Sequence, residues 1–131
     1  MIFKLLKDII GKDLSKFSMP VLVNDPLSIL QKSSEFMFFS HYMTQASKED
    51  DSCKRMVDVA LSQVAPYFVV PNRMGKPFNA FLGETYELVT PQFRYFSELV
   101  SHHPPIACFS IEGENFECQR IMASTQQFTG K

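Results

Sequence analysis

Several things are missing from this sequence, and each absence narrows what it encodes. No stretch approaches the roughly 18 consecutive apolar residues of a membrane-spanning helix. The opening, MIFKLLKDIIGKDLSKF, is interrupted by Lys4 and Lys7 and lacks a small-residue cleavage site, so it makes a poor signal peptide. No CxxC pair occurs. Cys53, Cys108 and Cys118 make an odd count, and His41, His102 and His103 complete no zinc-finger spacing, so the thiols read as free in a reducing compartment. Charge excess is also missing: 13 basic and 14 acidic side chains leave a formal net charge of -1, which offers nucleic acid no global attraction. A local basic patch stays open, because geometry makes patches. Trp is absent, and there is no internal repeat or low-complexity segment.

What is present fits one domain. The chain has 131 residues and is 45% hydrophobic, enough for one modest core. Phe is abundant at 13 residues, accompanied by 7 Met. Such a set builds either a Phe-rich core or an adaptable apolar surface around a lipid, since both side chains fill irregular spaces. Composition does not separate the two.

Ile2, Phe3, Leu5, Leu6, Ile9 and Ile10 recur at helical spacing, with Lys4, Lys7 and Asp8 on much of the other side. This predicts a short amphipathic helix ending near Gly11, either docked on the core or acting as a flap or membrane-surface segment. Residues 12–24 read as extended. Asp25-Pro26 reads as a helix start, with Asp25 as N-cap and Pro26 in the first turn. A helix over about 26–46 follows, with Leu27, Leu30, Phe38 and Tyr42 on its apolar face. After a polar loop at 47–52, a second helix over about 53–64 carries Met56, Val57, Ala60, Leu61 and Val64 on one side, and Pro66 weakens or ends it. The two form a helical hairpin. Then the period changes. Gly75, Pro77 and Gly83 mark a loop, and β-type runs follow at 85–89, 93–100, 106–111 and 116–123, with turns at Thr90-Pro91, His102 to Pro105 and Glu112 to Asn115. Helices followed by consecutive strands predict an α+β fold with an antiparallel meander. Residues 126–131 read as part of a further strand, so the sequence reads as incomplete, with a long unpaired sheet edge.

Two segments carry chemistry. Gly75 to Thr85 puts a cation, Lys76, and an amide, Asn79, in a glycine-punctuated loop. Lys76 can place a compact charge on a phosphate, Asn79 can donate and accept, and Gly83 permits a backbone shape denied to other residues. The GxxxxGK[ST] order of a P-loop is absent, and a plain turn with a solvated lysine is the competing reading. Ser97 to Pro105 places two histidines before two prolines. Pro104 restricts His103, and Pro105 restricts Pro104, so the loop is stiff. Neighbouring side chains of an extended segment point in opposite directions, so both imidazoles converge on one ligand only if the backbone bends at the strand end. Imidazoles donate to phosphate oxygens. The residues leave open whether this is a structural turn or a ligand loop. Metal ligation lacks further ligands, and hydrolysis with His102 or His103 as base lacks a nucleophile elbow or an acid/base pair.

Three motifs resemble one family. Ser97-Glu98-Leu99-Val100-Ser101-His102-His103-Pro104-Pro105 resembles the EQVSHHPP signature of the oxysterol-binding-protein-related family, departing at Leu99 where Gln is usual. Lys76 to Glu87 resembles its KPFNPLLGETYE segment, with Ala80 in place of Pro. Gly11 to Pro20, with Asn24-Asp25-Pro26-Leu27-Ser28 beyond it, resembles the start of the domain. The resemblance implies an incomplete antiparallel β-barrel around a lipid tunnel, with residues 1–19 as lid region, 26–70 as helices and 80–131 as the first barrel strands. It implies phosphatidylinositol 4-phosphate exchanged for a sterol or phosphatidylserine between membranes. Lys76, Asn79, His102 and His103 would be its headgroup contacts, and Ile2, Phe3, Leu6, Ile10, Leu14 and Phe17 its lid. It also implies a cytoplasmic protein, peripheral at organelle membranes or contact sites, with no bond chemistry, no cofactor, no metal and no nucleic-acid partner. Such domains are roughly three times longer, with further headgroup residues beyond Lys131. The alternative is a truncated, non-transferring scaffold that binds membranes or proteins, or self-associates through its open sheet edge.

Overall fold

Serine, not aspartate, starts the first helix. In the computed structural model, which describes residue 21 and residues 24–72 and 75–123, the Ser28 hydroxyl accepts the Gln31 backbone N–H, and the Gln31 side chain accepts the Ser28 N–H in return. This reciprocal capping box satisfies two donors that a bare helix end leaves orphaned. Asp25 and Pro26, expected as N-cap and first helical residue, instead lie in strand β1 (Asn24–Ser28). Pairing of β1 with strand β2 (Lys76–Phe78) holds these residues extended, and the Asp25 carboxylate pairs with Lys32 of the following helix.

The single helix expected over 26–46 is three pieces: α1 (Ile29–Ser33), a 3-10 segment (Ser34–Phe39) and α2 (His41–Lys48). Hydroxyls explain the break. Ser33 Oγ donates to the Ile29 carbonyl and Ser34 Oγ to the Gln31 carbonyl, competing with the helical ladder at the junction. The tighter 3-10 winding also shifts the buried face. Leu30 and Met37 enter the core, while Phe38, expected there, is exposed. Asp51 caps α3 (Ser52–Val64), accepting from the N–H groups of Cys53 and Lys54, and α2 and α3 form the expected hairpin. At Val64 the helix gives way to a second 3-10 segment, Ala65–Asn72, next to Pro66.

The meander is as the alternation predicts. Strands β3 (Thr85–Val89), β4 (Phe93–His102), β5 (Pro105–Gly113) and β6 (Phe116–Ala123) pair antiparallel in sequence order, and the sheet is open. One strand escaped the sequence reading: β2 (Lys76–Phe78), inside the expected loop, pairs parallel with β1. Three residues are too few to show a period. On the sheet's inner face Tyr95, Leu99, Ala107, Phe109 and Ile111 meet Leu30, Met37 and Ala80. Burying each large side chain stabilises by about 1.5–3 kcal/mol. The helical layer is tied on by the Tyr95 hydroxyl, which donates to the Leu30 carbonyl at 3.2 Å.

Helix α3 departs most from expectation. Its buried residues are Asp58 and Ser62, while Met56, Val57, Ala60, Leu61 and Val64, which the sequence places on one side, are exposed. Ser62 Oγ lies 3.1 Å from Met43 Sδ of α2 and donates to its own helix at the Val59 carbonyl. Small polar side chains let α2 and α3 approach closely. Periodicity locates an apolar stripe but not the neighbour it meets.

Candidate functional site

The two histidines meet. Between Leu99 and Ser101 the β4–β5 register slips by one residue, a bulge at Val100, and pairing resumes with Ser101 opposite Ile106 and His102 opposite Pro105. A bulge bends its strand and re-aims the side chains beyond it, which is the bend that convergence requires. His103 and Pro104 occupy the turn, and the peptide joining them is cis. Ser101 Oγ donates to the Pro104 carbonyl at 2.7 Å and closes the loop. The His102 and His103 rings stand edge to face with centroids 4.6 Å apart. His103 is exposed and His102 half-buried, and His102 Nδ1 is a buried polar atom without a hydrogen-bond partner. An unsatisfied buried nitrogen is costly, so a ligand group reaching it would gain more than a bond to a solvated one.

The loop carrying Lys76 and Asn79 is bound to the same strand. Gly83, at a φ of 78° that favours glycine, donates its N–H to the Leu99 carbonyl at 2.9 Å, and the Leu99 N–H donates to the Glu84 carbonyl at 3.1 Å. Glu84 also accepts the Phe81 N–H on its side chain. Thus the loop's end is anchored three residues before His102. Lys76 is half-buried on β2 and Asn79 is exposed just after it. Asn24, which the sequence reading passed over, is the register partner of Lys76, and its buried Oδ1 has no hydrogen-bond partner. Only parallel pairing brings it there, and no local sequence signal announces such pairing. The lid residues Ile2, Phe3, Leu6, Ile10, Leu14 and Phe17 lie outside the described residues.

At the opposite strand ends, an open groove of about 750 Å³ runs between Met37–Thr44 and the β3–β4 turn, lined by Phe38, Leu88, Pro91 and Phe93 among others. It includes none of the four predicted headgroup residues. No group of three or more potential metal ligands occurs, and no helix is long and apolar enough to cross a membrane, among the described residues.

A helical layer lies on one face of an open meander, with a lysine loop and a paired-imidazole turn braced on one strand, in an α+β arrangement. The oxysterol-binding protein family model matches residues 1–131, and the chain belongs to that family. It is 47% identical to human oxysterol-binding protein-related protein 7, over 99% of this chain and 16% of that protein. It is 42% identical to oxysterol-binding protein homolog 1 of Saccharomyces cerevisiae, over 99% of this chain and 11% of that one. Among solved structures it resembles the Osh1 ORD domain in complex with ergosterol, with TM-score 0.92 and 35% identity over 99% of this chain and 32% of that one. It also resembles the Saccharomyces cerevisiae Osh3 ORD in complex with PI(4)P, with TM-score 0.86 and 35% identity over 99% of this chain and 36% of that one. The chain therefore spans about a third of the solved relatives and less of the curated ones.

Proposed function

We propose that this chain contributes the phosphoinositide-headgroup side of a lipid-binding domain. The ligand is phosphatidylinositol 4-phosphate, exchanged for a sterol or phosphatidylserine between organelle membranes that the protein visits from the cytosol. Lys76 supplies a point charge, Asn79 and the two imidazoles supply directional donors, and residues 1–19 close over the bound lipid. No covalent bond changes. The observation that carries this reading is the convergence of His102 and His103, with a buried Nδ1 left for a ligand, on the strand that also anchors the Lys76–Gly83 loop. Relatives of 35% identity whose structures contain PI(4)P or ergosterol support it.

The test is liposome competition with a fluorescent sterol and with phosphatidylinositol 4-phosphate, comparing wild type and Lys76→Ala. Phosphoinositide binding is expected to weaken by about 1.5–3 kcal/mol, the worth of a hydrogen bond to a charged group, with sterol binding nearly unchanged. Equal loss for both lipids removes the headgroup role.

A further inference from the structure

Asn24 holds a buried acceptor that the folded chain does not use. Its Oδ1 is shielded from solvent and has no hydrogen-bond partner. The Lys32 ammonium, seven residues on, is engaged by Asp25 and lies 3.7 Å from Glu35. The Ser28 and Gln31 side chains are taken up by each other's backbone N–H groups. Gly75 explains why Asn24 lies where it does. A Cβ on Gly75 would stand 2.9 Å from the Asp25 nitrogen and 3.1 Å from its Cα, so only a residue without a side chain lets the loop come this close. The close approach sets β2 beside β1, with Lys76 as the register partner of Asn24. Register partners of a parallel pair project from the same face, on strands about 4.7–4.9 Å apart. Both residues are half-buried. A sheltered oxygen acceptor therefore stands beside the lysine.

We propose that Asn24 is a further specificity-determining contact: its amide oxygen accepts a ring hydroxyl of the lipid headgroup next to the phosphate that Lys76 holds. The proposal rests on the phosphoinositide reading of this site and deepens it. The chemistry selects the class of ligand. An ionised phosphate oxygen brings no proton for Oδ1, whereas a hydroxyl donates one. A lysine and a neutral acceptor side by side therefore suit a phosphorylated polyol, and Lys76 alone suits any phosphate. The energetics point the same way. A buried acceptor left unpaired costs the unliganded fold the desolvation of that group, and a ligand hydroxyl reaching it recovers the loss. Local departures of this kind concentrate at functional sites.

The experiment measures binding of the full 131-residue chain to phosphatidylcholine vesicles containing either phosphatidylinositol 4-phosphate or phosphatidic acid, which carries a phosphomonoester and no ring hydroxyl. Asn24→Leu, close to asparagine in shape, and Asn24→Ser, which keeps an acceptor, are compared with Lys76→Ala. Asn24→Leu is expected to bind the phosphoinositide about three- to tenfold more weakly, the worth of one neutral hydrogen bond, and to bind phosphatidic acid and a fluorescent sterol as wild type does. Asn24→Ser should fall between the two, and Lys76→Ala should lose affinity for both phosphate lipids. Thermal midpoints separate binding from folding. Removing an unpaired buried acceptor leaves the midpoint of Asn24→Leu unchanged or higher. A lowered midpoint with equal losses on all three lipids makes Asn24 structural and overturns the proposal. Unchanged phosphoinositide affinity in both Asn24 variants, with loss in Lys76→Ala, overturns it and leaves the headgroup reading standing. A wild-type chain that does not prefer the phosphoinositide vesicle removes both. Inositol 1,4-bisphosphate, the headgroup without its lipid, is added as competitor. Displacement only at large excess supports the membrane lipid as ligand, and full displacement at stoichiometric concentration overturns that assignment in favour of a soluble phosphate.

Discussion

Individual side chains at the histidine turn carry the proposed site. Replacing both histidines with alanine is expected to lower phosphatidylinositol 4-phosphate affinity while sterol binding largely survives, measured by liposome competition. Equal phosphoinositide affinities for wild type and double variant would make the pair a structural turn only. Tyr95 is the residue with a pH signature. Burial holds its phenol well above the ordinary tyrosine range. In the unfolded chain the phenol ionises near pH 10, whereas the buried one keeps its proton, so unfolding in alkali releases a proton. The stability this group contributes is complete below about pH 10 and is lost as pH rises beyond it. Thermal melts should therefore fall more steeply above about pH 10 for wild type than for Tyr95→Phe. At neutral pH that variant should lose about 1 kcal/mol with the bond to Leu30.

Among the elements, agreement between expectation and structure follows the kind of signal each segment carries. Thr85–Val89 and Phe116–Ala123 match the predicted strands end to end, because alternating side chains bounded by turn residues leave one reading. The meander followed from short turns, such as Glu114-Asn115, where Asn115 takes the positive φ that asparagine tolerates. The helical half was misread where two local rules competed. Asp25-Pro26 and Ser28-x-x-Gln31 both look like helix starts, and only tertiary pairing of β1 with β2 chose between them. This choice is measurable. Ser28→Ala should cost about 1 kcal/mol in denaturant unfolding by removing the cap, whereas a neutral outcome would return the N-cap to Asp25. The ion pair of Lys48 with Glu114 spans α2 and the β5–β6 turn, but both groups are well exposed and it adds at most about 1 kcal/mol.

In the whole molecule, one face of an open sheet holds a thin helical layer, and a few residues join the two. Leu30 is fully buried at that junction. Leu30→Ala should cost about 2–5 kcal/mol, from lost burial and the cavity left behind, seen as a lower urea midpoint. A cost under about 1 kcal/mol would mean that the layer can collapse onto the gap. Among the described residues, β3 and β6 are the outer strands of the sheet and α3 exposes an apolar stripe. The chain belongs to the oxysterol-binding protein family and spans about a third of the solved domains it resembles.

Local order was written in the sequence: where strands run, where they turn, that α2 and α3 are helices, and which short motifs carry lysine, asparagine and paired histidines. These rest on period, on turn chemistry and on proline and glycine, all of which act within a few residues. Long-range contacts were decided only by the folded chain. Strand β2 exists because β1 lies beside it, and Asn24 meets Lys76 only through that pairing. The histidine rings meet because a bulge at Val100 turns the strand. Helix α3 turns its polar side inward because its described neighbour, α2, offers a close serine–methionine contact. An apolar stripe states that something will cover it, and only the tertiary arrangement states what lies on the other side.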